Sequence, residues 1–121
     1  MIRLDLKREP YWLDLGHGVR VLVRPCTTAL MMAARVAALR ESGDAEGTDP
    51  VDAAGFRTAT LVKTLARLAV TAWEGVGDAD GNPVDVTAEG VAALLDLWPL
   101  AEAIERLYLA PALLVDSEKN A

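Results

Sequence analysis

The chain has 121 residues, with 18 acidic and 12 basic side chains and a formal net charge of −6. This length suits a single domain covering residues 1–121, and a hydrophobic content of 52% is enough to build a core. The negative charge argues against binding along a nucleic-acid backbone, which requires clustered Lys and Arg.

Three absences in the sequence indicate the cellular compartment. Residues 1–7 alternate apolar and charged side chains and lack the continuous apolar segment of a secretory signal, and no uncharged apolar window is long enough to span a membrane. The single cysteine, Cys26, cannot form an internal disulfide or a cysteine-based zinc site. We therefore expect a cytoplasmic protein that does not act at a membrane.

The N-terminal part, residues 2–24, predicts a three-stranded antiparallel meander. Period-two alternation indicates strands at 2–6 and 19–23, and 11–15 is a second short candidate between them. The link at 16–18 has two glycines, as a hairpin loop requires. The valines of the last strand should face inward.

The following part, residues 27–110, predicts about four helices. Thr27 or Thr28 is a suitable N-cap for a helix over 30–39, which is apolar nearly all round and must be buried on more than one side or meet a partner. The longest helical pattern covers 52–73.

Two shorter helices complete this part, and a polar tail covers 116–121. Thr87 is a plausible N-cap for the first, which carries Leu94, and Pro99 suits the first turn of the second. The predicted fold class is α+β, with a small antiparallel sheet packed against about four helices.

A calcium site is suggested by spacing but fails on chemistry. Asp78, Asp80, Asn82 and Glu89 occupy positions 1, 3, 5 and 12 of a calcium-type loop. Such a loop needs glycine at its sixth position for a sharp turn, and Pro83 stands there. We therefore predict a turn, and no metal or cofactor.

A catalytic site is not indicated either. His17 is the single histidine and lies between two glycines, and nothing in the spacing pairs it with Cys26 as base and nucleophile. We predict that the chain is not an enzyme, although a deep pocket joining His17, Cys26 and an acid would revive that class.

The charge distribution is more informative. Between Leu68 and Glu105 there are eight acids and no Lys or Arg. One interpretation is a solvated face that keeps the protein soluble. The other is an acidic rim that steers a basic or amphipathic protein segment toward an apolar groove.

Two segments resemble the tail assembly chaperones of long-tailed bacteriophages, prophages and gene-transfer agents. The first is Leu13–Thr28, a short hairpin running into an Arg-Pro-x-Thr helix start. The second is Trp73–Thr87, which carries Trp-x-Gly-Val and an Asp-Gly, followed by the leucine-rich stretch Val91–Leu95. The likeness covers most of residues 11–109.

The resemblance implies a non-catalytic role in the bacterial host cytoplasm. Such chaperones bind and solubilise the long helical tape-measure protein before the tail tube polymerises around it, so the tape-measure protein is the expected partner and the tail tube protein a second candidate. The alternative is a structural tail or neck component retained in the particle. The sequence also leaves a homo-oligomer open. We expect partner contacts at five apolar positions, Met31, Met32, Trp73, Leu94 and Trp98.

Overall fold

The computed structural model describes residues 9–41 and 49–111. The predicted strand at 2–6 and the predicted polar tail at 116–121 lie outside these ranges. The elements follow in chain order: β1 (Tyr11–Gly16), β2 (Val19–Val23), α1 (Thr28–Glu41), α2 (Pro50–Ala69), β3 (Val70–Glu74), α3 (Ala88–Leu95) and α4 (Trp98–Ile104), which continues into a π-helical turn (Glu105–Leu109).

The three strands form one antiparallel sheet in the order β1-β2-β3. The β1–β2 hairpin turns at His17, whose φ is 56°, with Gly16 and Gly18 also at positive φ. Val19, Val21 and Val23 are buried, as the alternation predicted. The α+β class, with a three-stranded antiparallel sheet and four helices, is confirmed in the described ranges.

The sequence-based prediction of one helix over 52–73 was wrong at its C-terminal end, where the structure has a strand. The helix expected over 52–73 ends at Ala69, and Val70–Glu74 turns back as β3 to pair with β2. Val70, Thr71 and Trp73 have the branched or aromatic side chains that favour a strand. The amide of Arg24 also donates to the carbonyl of Ala69 at 2.9 Å, which fixes the point where the helix gives way to the sheet.

The core lies between the inner face of the sheet and the second half of α2. Its most completely buried large side chains are Val21 and Val23 from β2, Leu65 from α2 and Ile104 from α4. After Ile104, α4 continues into the π-helical turn, in which the consecutive residues Tyr108 and Leu109 are both buried. This arrangement leaves α1 and the first half of α2 at the periphery.

The helix starts follow the predicted capping. The Oγ1 of Thr27 accepts from the amide of Leu30 at 3.2 Å, and the Oγ1 of Thr87 accepts from that of Gly90 at 2.9 Å. Pro99 lies in the first turn of α4, as expected. Within the described ranges, none of the helices combines the length and the apolar character needed to cross a bilayer.

Candidate binding surfaces

The two residues considered for catalysis, His17 and Cys26, lie beyond opposite ends of β2. His17 is exposed in the hairpin turn that precedes β2, whereas Cys26 lies beyond the other end of β2. A five-residue strand spans roughly 16 Å, so the imidazole and the thiol do not form a base–nucleophile pair.

The surroundings of Cys26 make its thiol a poor nucleophile. Burial raises the pKa of the Cys26 thiol, and a hydrogen bond with Tyr108 opposes that shift only in part. The Tyr108 hydroxyl donates to the carbonyl oxygen of Arg24 at 2.6 Å. Burial, and then the neighbouring Cys26, raise the pKa of Tyr108. The cluster therefore stays protonated and serves to join the π-helical turn to the end of β2.

The calcium-like residues form a closed turn. The Oδ1 of Asp78 accepts from the amides of Asp80 at 3.0 Å and Asn82 at 2.9 Å, and Gly81 adopts a positive φ of 84°. Glu89 lies apart from them, in the first turn of α3. Within residues 9–41 and 49–111 there is no group of three side chains arranged to hold a metal ion.

Trp73 joins the strand β3 to the loop before α3 and to the first turn of that helix. Its Nε1 donates to the carbonyl oxygen of Val84 at 2.7 Å, and its ring lies against Gly90, where a Cβ would approach the ring to 2.9 Å. The indole is partly buried against the core. Its hydrogen-bonding group is thus used inside the protein rather than offered to a partner.

The five residues expected at a partner interface divide into two groups. Met31, Trp73 and Leu94 are partly buried and pack against the core. Met32 and Trp98 are 52% and 69% exposed, and they lie on different elements, α1 and α4. The structure therefore offers two separate surfaces, one at each exposed residue.

The first surface is a groove between α2 and α4 with a volume of about 460 Å³, called here the α2–α4 groove. Buried Val62 and Leu95 form its floor, and exposed Trp98 forms one side. The remaining lining residues are small or polar: Gly55, Thr58, Ala59, Lys63, Asp96, Ala101 and Glu105. Lys63 is ion-paired with Asp96, so Glu105 is the lining charge with no ion pair in the described part of the chain.

The second surface is an apolar stripe along α1, called here the α1 stripe. Met32, Val36 and Leu39 follow one another at i, i+4 and i+7 and are 52%, 49% and 69% exposed. Beside them Arg35 and Arg57 line a shallow groove of about 210 Å³ between α1 and α2. Neither guanidinium forms an ion pair with the described residues.

The acids between Leu68 and Glu105 are only partly neutralised. Glu74 pairs with Arg20 at 3.0 Å and Glu102 with Arg106 at 3.2 Å. Arg20 also lies over the ring of Trp12, 4.8 Å from its centroid. Asp80, Asp85, Glu89 and Glu105 form no ion pair within the ranges described. The elements around α3 and α4 therefore carry several acids without an ion pair among the described residues.

Sequence reasoning missed Val36 and Leu39 as surface residues, and Gly55 and Ala59 as groove residues. The helix over 30–39 was expected to be buried on more than one side or to meet a partner, and only Ala34 and Ala38 of α1 are buried. The i, i+4, i+7 spacing of Met32, Val36 and Leu39 was the available signal. For Gly55 and Ala59 no sequence signal distinguishes a groove from an ordinary exposed helix face.

Comparison of the chain with protein-family models, with curated proteins and with solved structures gave no significant match. The resemblance to tail assembly chaperones therefore rests on the residue patterns alone, and the function that it implies is a proposal.

Proposed function

We propose that this protein is a non-catalytic tail assembly chaperone that binds and solubilises a tape-measure protein. The observation that carries the proposal is the α2–α4 groove, with a floor of Val62 and Leu95 and the exposed ring of Trp98 at its side. An apolar groove between helices is the usual receptor for one amphipathic helix.

The chemistry of the expected partner matches this groove. A tape-measure chain is long and helical and cannot bury its own apolar stripe, so a helper must cover that stripe reversibly. Small residues such as Gly55, Ala59 and Ala101 let a helix backbone come close, and Leu97 next to Trp98 adds a second exposed apolar side chain. The acids of the surrounding elements keep the loaded protein in solution.

Coexpression tests the proposal. Overlapping tape-measure fragments that are insoluble alone are expected to become soluble and to co-elute with this chain. The double substitution Trp98→Gln and Leu97→Gln removes two exposed apolar groups and should abolish co-elution, whereas Val51→Gln, at an exposed position outside the groove, should leave it intact. Fragments that stay insoluble and never co-elute would refute the proposal.

The alternative of a retained tail or neck component is tested in the same system. Mass spectrometry of purified particles should find the tape-measure protein and lack this chain, because a chaperone leaves before the tail is complete. Stoichiometric recovery of the chain in particles would assign it to the structure of the tail instead.

A further inference from the structure

We propose that Glu105 determines which helices the α2–α4 groove accepts, by selecting a helix that carries a Lys or Arg beside its apolar stripe. This inference rests on the proposed function, because it names the chemistry of the tape-measure segment that occupies the groove. The supporting observation is the pairing of the polar side chains that line the groove.

Four charged or hydroxyl side chains line the groove, and three of them already have partners among the described residues. Lys63 is ion-paired with Asp96, and the Thr58 hydroxyl donates to the carbonyl oxygen of Ala54 at 3.0 Å. Glu105 is partly buried, and its carboxylate forms no ion pair or hydrogen bond with any described residue. The described lining therefore presents one negative charge that is not neutralised.

The arginine next to Glu105 does not neutralise it. Arg106 follows directly in the chain, but its Nε donates to the Oε1 of Glu102 at 3.2 Å, one turn earlier on the helix. These two charges satisfy each other outside the groove, whose lining includes neither residue. The carboxylate of Glu105 is therefore left for a group that comes from outside the described part of the chain.

Docking of a helix changes the surroundings of this carboxylate. A helix that fills the groove with apolar side chains takes the remaining water away from Glu105, and a charge without water or a partner is strongly unfavourable. A Lys or Arg on the docked helix removes that cost by forming an ion pair, whereas an acidic residue at the same place adds like-charge repulsion. The groove therefore selects a basic segment rather than any amphipathic helix.

The lining also sets where the basic residue lies. Trp98, Ala101 and Glu105 follow one another at i, i+3 and i+7. At 1.5 Å per residue, Trp98 and Glu105 are roughly 10 Å apart along the helix. A helix docked along this face places large apolar side chains against Gly55 and Ala59. Its basic residue then lies about two turns from the side chain that contacts Trp98.

A double-mutant cycle on the shortest tape-measure fragment that co-elutes with the chain is the test. Each Lys and Arg of that fragment is changed to Gln, and calorimetry measures binding to the unmodified protein and to Glu105→Gln, which keeps the shape of the side chain. One fragment substitution should weaken binding to the unmodified protein by about tenfold, and binding to Glu105→Gln by less than about threefold.

Glu89→Gln is the matched control. Glu89 is an exposed acid of α3 that forms no ion pair with the described residues and lies outside the groove lining. Its substitution makes the same change in net charge, and it should leave the affinity for the fragment within about twofold of the original, because distant exposed charges contribute little. A loss equal to that of Glu105→Gln would show an effect of overall charge and would overturn the proposed contact.

Charge exchange provides a gain of binding. Glu105→Lys should weaken binding of the unmodified fragment by at least about tenfold, because two cations then face each other. The fragment whose basic residue is replaced by Glu should bind this variant to within about threefold of the original affinity. Circular dichroism checks that each variant keeps its fold. Loss without recovery would show that Glu105 does not face the basic residue.

The outcomes separate the role of Glu105 from the proposed function. If fragments co-elute but every Lys and Arg substitution is neutral, or costs the same with Glu105→Gln as with the unmodified protein, the role of Glu105 is overturned and the chaperone role stands. If no fragment becomes soluble or co-elutes, the proposed function fails and the selection by Glu105 fails with it.

Discussion

Gly75 is the backbone position where a single added atom has the clearest consequence. It has a φ of 82°, and a Cβ built there would lie 1.9 Å from the carbonyl oxygen of Gly18 in the β1–β2 turn. Gly81 has nearly the same φ, 84°, with nothing within 4 Å of the corresponding position. Alanine substitutions at the two glycines therefore distinguish the cost of a strained backbone from the cost of a steric clash.

We expect Gly81→Ala to lower the free energy of unfolding by about 1–2 kcal/mol, the cost of a left-handed backbone with a side chain. Gly75→Ala should cost at least about 2 kcal/mol more, because β3 must also move away from the hairpin turn. Urea unfolding of both variants measures the difference. Equal costs would mean that the approach of Gly75 to Gly18 is not required for stability.

The Tyr108 hydroxyl controls a second residue-scale effect, the response to alkaline pH. Its native-state pKa is raised above the ordinary 10.0 by burial, with Cys26 as the next cause. The unfolded chain therefore loses this proton first. The resulting stabilisation is fully present below about pH 10 and decreases as the pH rises above that value.

Tyr108→Phe should act in two ways. Near neutral pH it removes the hydrogen bond to the Arg24 carbonyl and should cost about 1 kcal/mol or slightly more. Above about pH 10 its stability should fall less steeply than that of the unmodified protein, since one group with a raised pKa is gone. Urea midpoints across this range provide the measurement, and parallel curves would contradict the assignment.

At the scale of elements, α3 depends on its N-cap. The Thr87 hydroxyl accepts from Gly90, and the same turn lies against the ring of Trp73. Thr87→Ala should therefore destabilise the protein by about 1 kcal/mol. Thr58→Ala is the matched control, because Thr58 is exposed inside α2 and bonds only to the preceding turn. Thermal or urea unfolding distinguishes them, and equal stability of the two variants would exclude the capping role.

Elements with a local signal were the ones that could be predicted. Alternation identified β2, a hydroxyl cap identified the start of α3, and glycines identified the hairpin turn. The boundary at Ala69 could not be found in this way, because Leu65, Ala69 and Trp73 continue a helical period. The pairing of β3 with β2 decides that boundary, and it is a contact between residues about fifty positions apart.

The candidate surfaces were predictable only in part, for a related reason. Helical spacing places Met31 and Met32 on one helix but does not say which of the two the core will cover. The core covers Met31 in part, and Met32 is left exposed because Ala34 and Ala38 are the buried side of α1. The exposure of Trp98 follows from its position at the start of α4.

At the scale of the molecule, stability is distributed unevenly. Within the described ranges, α1 contributes only Ala34 and Ala38 as buried residues, whereas β2 and the second half of α2 supply the fully buried Val21, Val23 and Leu65. Regions with few buried apolar contacts open at low free-energy cost. The boundary between the weakly buried part and the well-buried part lies within α2, whose first half, residues 50–59, buries only Ala53.

Hydrogen exchange should reflect this division. Amides of α1 are expected to exchange at least tenfold faster than those of β2 and of residues 60–69. Mass spectrometry of peptic fragments resolves these segments. Equal protection of α1 and β2 would mean that α1 is held by more than the two alanines.

The first half of α2 stands between the two surfaces, with Gly55 and Ala59 on its groove side and Arg57 on the side of α1. The second half of α2 is held in the core by buried residues such as Leu65 and Ala66, whereas the first half buries only Ala53. If the first half of α2 tilts about its second half, a movement that widens the α2–α4 groove narrows the space beside α1. Binding at one surface would then weaken binding at the other through the movement of a single helix. No contact between the two bound groups would be needed.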